Sequence, residues 1–176
     1  MYMTIAGLIL LVPRLLGSIP QPCDQQCREV IRAALTWTVE SVPTENREKL
    51  FVDFSPLRRA PALETEEMRQ FAAATTEVAR GMGLRSGNSR EDEAWSLCLE
   101  APGSAACRSH AGKTGITVRS VDFLSATEAT AIVLRIRIEN SPPGARSATQ
   151  AIAWDLRLTR SGEDWAVTDA KIRGQS

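Results

Sequence analysis

The chain predicts an α+β domain, with N-terminal helices packed on one face of a curved four-stranded antiparallel meander. Three observations point there. Ile132, Leu134, Ile136 and Ile138 alternate with Arg135, Arg137 and Glu139, the period of a strand with one dry and one wet face. Ile152, Trp154, Leu156 and Leu158 repeat that alternation against Asp155, Arg157 and Thr159, and the turn residues Ser161-Gly162-Glu163-Asp164 follow at once. Upstream, two stretches carry apolar residues at steps of three and four, as helices lying on a sheet do.

The elements follow in order. Residues 1–21 hold an eight-residue apolar run, Ile5 to Val12, too short to cross a bilayer, which needs about 20 residues. Its length suits an export signal, although no Lys or Arg precedes it and no small-x-small cleavage site stands before Cys23. An uncleaved anchor, a mis-assigned start and a buried N-terminal segment are the other readings, and residues 22–176 are one α+β domain. Cys27, Val30, Ile31, Ala34, Leu35, Thr38 and Val42 make the apolar face of a first helix, which Pro43 ends because proline cannot continue the hydrogen-bond ladder. Leu50 to Phe54 reads as a short strand or a buried loop. Thr65 looks like the N-cap of a second helix, with Glu66 and Glu67 at the positive end of its dipole. Met68, Phe71, Ala72, Thr75, Val78, Ala79 and Met82 form its apolar face, and Gly81 and Gly83 its stop. Ala94, Trp95, Leu97 and Leu99 form a short ordered piece. The strands begin with Ile116, Val118, Val121 and Phe123, whose change of parity at Ser120 predicts a bulge. Trp165 and Val167 open the last strand, with another parity change near Asp169.

Composition narrows the function classes. The 176 residues are 43% hydrophobic and 24% charged, as in an ordinary globular domain. Lys+Arg and Asp+Glu are both 21, and that balance argues against a nucleic-acid partner, which would call for a basic footprint. A single histidine, His110, and a single tyrosine, Tyr2, leave little for acid–base or nucleophilic chemistry. His110 reads as an exposed loop residue whose replacement by alanine changes little. No cofactor is implied.

The four cysteines allow three pairings. With an export signal, disulfides are the default. Cys98 and Cys107 flank Pro102-Gly103, where a turn brings them together, and Cys23 and Cys27 then pair across one helical turn. A metal site is the rival, but the spacing of Cys98 and Cys107 is wider than zinc pairs use.

Helices first, then a meander whose last strand opens on tryptophan, resembles the nuclear transport factor 2-like superfamily of α+β cone domains (cystatin-like folds share the layout). The residues that carry the resemblance are Ala129 to Glu139, Ala151 to Arg160, Ser161-Gly162 and Trp165 to Asp169. It implies a sheet folded round a pocket that the helices close. The inner face would be Ile116, Val118, Ile132, Leu134, Ile136, Ile138, Ile152, Trp154, Leu156, Leu158, Trp165 and Val167, which offers no acid, base or nucleophile. Asp53, Leu134, Ile136, Trp154 and Trp165 are the candidate ligand-binding wall; Asp53, set among large apolar residues, is either an acid in the pocket or a surface aspartate. The expected function is a non-catalytic extracytoplasmic binding or assembly domain, periplasmic or secreted, for a partner protein or an apolar small ligand. It would touch a membrane only through its N-terminal segment. Two alternatives stand beside it: a small isomerase- or lyase-type enzyme that brings Asp53, Asp122 or His110 into the pocket, and a membrane-tethered accessory subunit.

Overall fold

The structure, a computed structural model, describes residues 23–52, 65–86, 95, 97–98, 107, 110–139 and 149–175. The N-terminal segment and Asp53 lie outside the described residues. The class is α+β, as the periodicities predict. Helix α1 is Gln25–Glu40, followed by a 3-10 turn, Thr44–Lys49, and strand β1, Leu50–Val52. Helix α2 is Glu66–Gly81, and β2 is the two-residue strand Arg85–Ser86. Then come β3 (Thr114–Phe123), β4 (Glu128–Ile138), β5 (Thr149–Ser161) and β6 (Asp164–Gln175).

Both helices begin and end where side-chain chemistry requires. Asp24 accepts from the Cys27 amide at 2.9 Å and caps α1; Thr65 accepts from the Met68 amide at 3.3 Å and caps α2. The Cys23–Cys27 disulfide, with Cα atoms 5.2 Å apart, spans the first turn of α1 and fixes its entry. At the far end of α2 the Leu84 amide reaches the Ala79 carbonyl and the Gly83 amide the Arg80 carbonyl. That closure needs the positive φ of +73° at Gly83, a conformation glycine adopts without penalty. All seven residues predicted for the dry face of α1 are buried. On α2 the buried set is Ala74, Thr75, Val78 and Ala79, with Phe71, Ala72 and Met82 packed at the margin.

The four predicted strands pair antiparallel and in sequence, but they are part of a larger mixed sheet of order β2-β1-β3-β4-β5-β6. The run at Leu50 is a strand after all, parallel to both β2 and β3. Its three residues are buried, as a parallel strand covered on both faces requires. The bulge falls between Val118 and Ser120 as the parity change predicts, and β6 slips against β5 near Thr168.

The faces of β4 correct the sequence reading. Register pairs Val133 with Trp154, Ala131 with Leu156 and Ala129 with Leu158. Directly paired residues share a face, so Ala129, Ala131 and Val133 meet α1 and α2, together with Ile116, Val118, Trp154, Leu156, Leu158 and Trp165. Ile132, Leu134, Ile136 and Ile138 point the other way. Leu134 and Ile136 therefore cannot share a pocket wall with Trp154 and Trp165. The physical reason is that β4 is apolar on both faces as far as Val133. The four branched residues mark a dry face, but not the one beneath the helices.

That second face has its own cover at one end. Phe51, Trp95, Cys98, Cys107, Ile136 and Ile138 form a separate buried cluster, with Leu134 and Ala151 at its edge. Trp95 stands edge-on to Phe51, with ring centroids 4.8 Å apart, and tilted against His110 at 5.7 Å. His110 is thus buried rather than exposed, 4% accessible. The Cys98–Cys107 disulfide closes this cover. Replacing both of those cysteines by alanine is expected to cost roughly 2.5 kcal/mol, from the unfolded-chain entropy that a nine-residue separation restricts. Urea denaturation of the double variant against the wild type measures it; a loss under about 1 kcal/mol would mean that the cover is held by packing alone.

Candidate functional site

A groove of about 570 Å³ runs between α1 and the start of β6. One wall is the stripe of α1 beside its buried face: Gln25, Glu29, Arg32, Ala33, Thr36 and Glu40 recur at helical steps, with Trp37 leaning in from the buried side. The other wall is Glu163 to Val167. The β5–β6 hairpin sets it in place. Gly162, with φ +67°, is the first central residue of a two-residue turn between the paired Ser161 and Asp164, the position where a type II′ turn takes glycine. Trp165 then points to the helices and Ala166 away from them.

Aromatic rings stiffen the floor. Trp37 meets Trp154 edge to face at 5.8 Å, and Trp165 meets Phe123 in the same way at 5.9 Å. Trp165 is 8% accessible, and its Nε1–H is buried without an acceptor. Carboxylates dominate the rim: Glu29, Glu40, Glu163 and Asp164 stand against Arg32. Low-dielectric walls with charge of one sign concentrate counter-charged partners.

At the C-terminal end of α1, on the same face of the sheet, Arg135 lies over the Trp154 ring, 5.0 Å from its centroid, and donates to the Ser41 hydroxyl at 3.4 Å. Burial, and then the charge of Arg137, push the Arg135 guanidinium below its ordinary value.

The sequence-derived wall is therefore divided. Trp165 lines the groove and Trp154 lies beneath the rings beside it, whereas Leu134 and Ile136 belong to the opposite face, and Asp53 is outside the described residues. The ionisable groups named for an enzyme are not brought together either: Asp122 is exposed on β3 and His110 is buried beside Trp95. All four cysteines are in disulfides, so none remains to bind a metal. Among the described residues no cluster of His, Cys, Asp or Glu has the geometry of a metal site, and no helix is long and apolar enough to cross a membrane. Sequence reasoning missed the groove because its helix wall reads as an ordinary solvated stripe. The available signal was Trp37, a large aromatic residue just off the apolar face. Comparison of the chain with known protein families, with characterised proteins and with solved structures finds no match to any of them.

Proposed function

We propose that this is a non-catalytic extracytoplasmic binding domain that takes a basic segment of a partner protein in the groove between α1 and β6. The observation that carries the proposal is the groove's make-up: Trp37 and Trp165 in its lining, four carboxylates and one arginine around it. An open, charged rim fits a polypeptide with lysine or arginine side chains better than the apolar small ligand expected of a closed pocket, since lysine and arginine lay their alkyl stems on aromatic surface while their heads meet carboxylates. Two disulfides in a chain of this size favour an oxidising compartment, in keeping with an export signal in residues 1–21. We also propose kinship with the nuclear transport factor 2-like cone domains. Its support is the order of helices before β3–β6 and Trp165 at the start of the last strand; the parallel strands β1 and β2 are additions to that layout.

An array of random decapeptides tests the groove. Binding should concentrate on peptides that combine lysine or arginine with aliphatic or aromatic residues. The double substitution Glu29→Lys and Glu163→Lys should weaken it at least about tenfold, the scale of two charge reversals at a partly exposed rim. A preference for acidic peptides, or binding indifferent to the double substitution, would remove the proposal.

A further inference from the structure

Apart from the groove, the sheet carries a second unexplained feature. Arg135 and Arg137 are successive residues on the helix face of β4, about 7 Å apart along the strand. Neither has a carboxylate partner among the described residues. Their neighbours on the adjoining strands are neutral: Ile116 and Ile152 stand opposite Arg135, and Thr114 and Gln150 opposite Arg137. Three other arginines of the fold show what a matched one looks like, whereas Arg160, half-buried on β5, shares with Arg137 a buried Nε–H without an acceptor. Arg157 pairs with Glu128 at 3.3 Å, Arg173 with Asp155 at 3.2 Å and Arg28 with Glu77 at 2.6 Å. The unmatched pair is also the more enclosed one. Both residues are half-buried, and the Arg137 Nε–H is buried with no acceptor. A buried donor without a partner is costly, and a half-buried guanidinium pair repels itself.

The end of α1 does not account for the pair. The carbonyl of its last residue, Glu40, and that of Val42 just beyond it are taken by Arg47 at 3.3 and 3.1 Å. Trp154 instead places its ring beneath the Arg135 guanidinium, 5.0 Å from its centroid. A guanidinium fork matches the oxygens of a carboxylate or a phosphate.

We propose that Arg135 and Arg137 form an oxyanion-binding site, which takes a carboxylate or phosphate group across the two guanidinium groups beside the C-terminal end of α1. The site is separate from the acidic groove and does not depend on what the groove binds. A bound oxyanion cancels the repulsion between the two half-buried guanidinium groups.

Thermal melts of the full chain in sodium phosphate and in sodium acetate, each against sodium chloride at equal ionic strength, test it. One of the two oxyanions should raise the wild-type Tm by about 3 °C or more at tenfold excess over its dissociation constant, and which one does so distinguishes phosphate from carboxylate. Arg135→Gln with Arg137→Gln should abolish the rise. Arg157→Gln, on the opposite face, should keep it. Should the double variant not fold, the arginine Nε–H resonances of the wild type serve instead: the Arg137 signal, identified in the single variant Arg137→Gln, should move on phosphate or acetate addition and not on chloride. No oxyanion-specific rise with an unmoved Arg137 signal, or a rise that survives the double substitution in a folded protein, overturns the proposal.

Discussion

Val133→Lys is expected to abolish the folded state, whereas Ile132→Lys, one residue away, should leave it cooperative and nearly as stable. Val133 is fully buried on the helix face, opposite Val118 on one side and Trp154 on the other. A lysine there gives up the burial of the valine, roughly 1.5–3 kcal/mol, and brings an ammonium group beneath α1 near the uncompensated Arg135. The charge cannot reach water without displacing the helix, so the total cost reaches several kcal/mol, comparable with the roughly 5–15 kcal/mol that holds a domain of this size together. Ile132 is half-buried on the other face, in register with Asp155. A lysine in its place meets a carboxylate across the strands, and the net loss should stay near 1 kcal/mol. Circular dichroism with urea titration distinguishes the two. The face assignment read from the alternating isoleucines predicts the reverse order, so an unfolded Ile132→Lys beside a folded Val133→Lys would restore that assignment and discard the register described above.

Trp95→Ala should cost about 3–5 kcal/mol, the range for removing a large buried aromatic side chain. Trp95 has no accessible surface and lies between Phe51 of β1, His110 and the Cys98–Cys107 disulfide. Its removal leaves a cavity that the disulfide prevents from collapsing, because the two cysteines hold the cover at fixed positions. The damage should be local at first. Amide hydrogen exchange in β1 should accelerate ahead of that in β4 and β5, since the short parallel strand depends on Phe51 packing while the long strands keep their ladder. His110→Ala should follow the same pattern with a smaller loss, in place of the neutral outcome that an exposed histidine would give. A Trp95→Ala protein as stable as the wild type would mean that the second cluster adds no core and that the sheet is stabilised from one side alone.

The two predictions turn on the same feature of β4. Its even positions carry Ile132, Leu134, Ile136 and Ile138, and its odd positions Ala129, Ala131 and Val133 before Arg135 and Arg137. Alternation within one strand identifies two faces but cannot name which neighbour each will meet. Small residues at the odd positions look unimportant by hydropathy, yet close helix packing selects them because α1 can then approach the backbone. The bulkier even positions fill the space beneath Trp95 and the Cys98–Cys107 disulfide at one end and are only half-covered at Ile132 and Leu134.

Much of the local structure was legible in the chain alone. The cap at Thr65, the glycine stop at Gly83 and the Gly162 turn arise from interactions within a few residues, and the bulge before Ser120 shows in sequence as a change of parity. The apolar face of α1 is legible from its spacing, whereas its Asp24 cap is seen in the structure. Both disulfides were legible too, since only one pairing joined cysteines that were close in sequence on both sides. What the tertiary structure alone decided is long-range: the parallel addition of β1 to β3, the burial of His110 beside Trp95, the face of β4 that the helices cover, and hence which residues border the groove and which arginines are left unmatched. These depend on register between strands and on the seating of helices across the sheet. Register is set by the sum of many weak contacts between residues distant in sequence, and no single segment contains that sum.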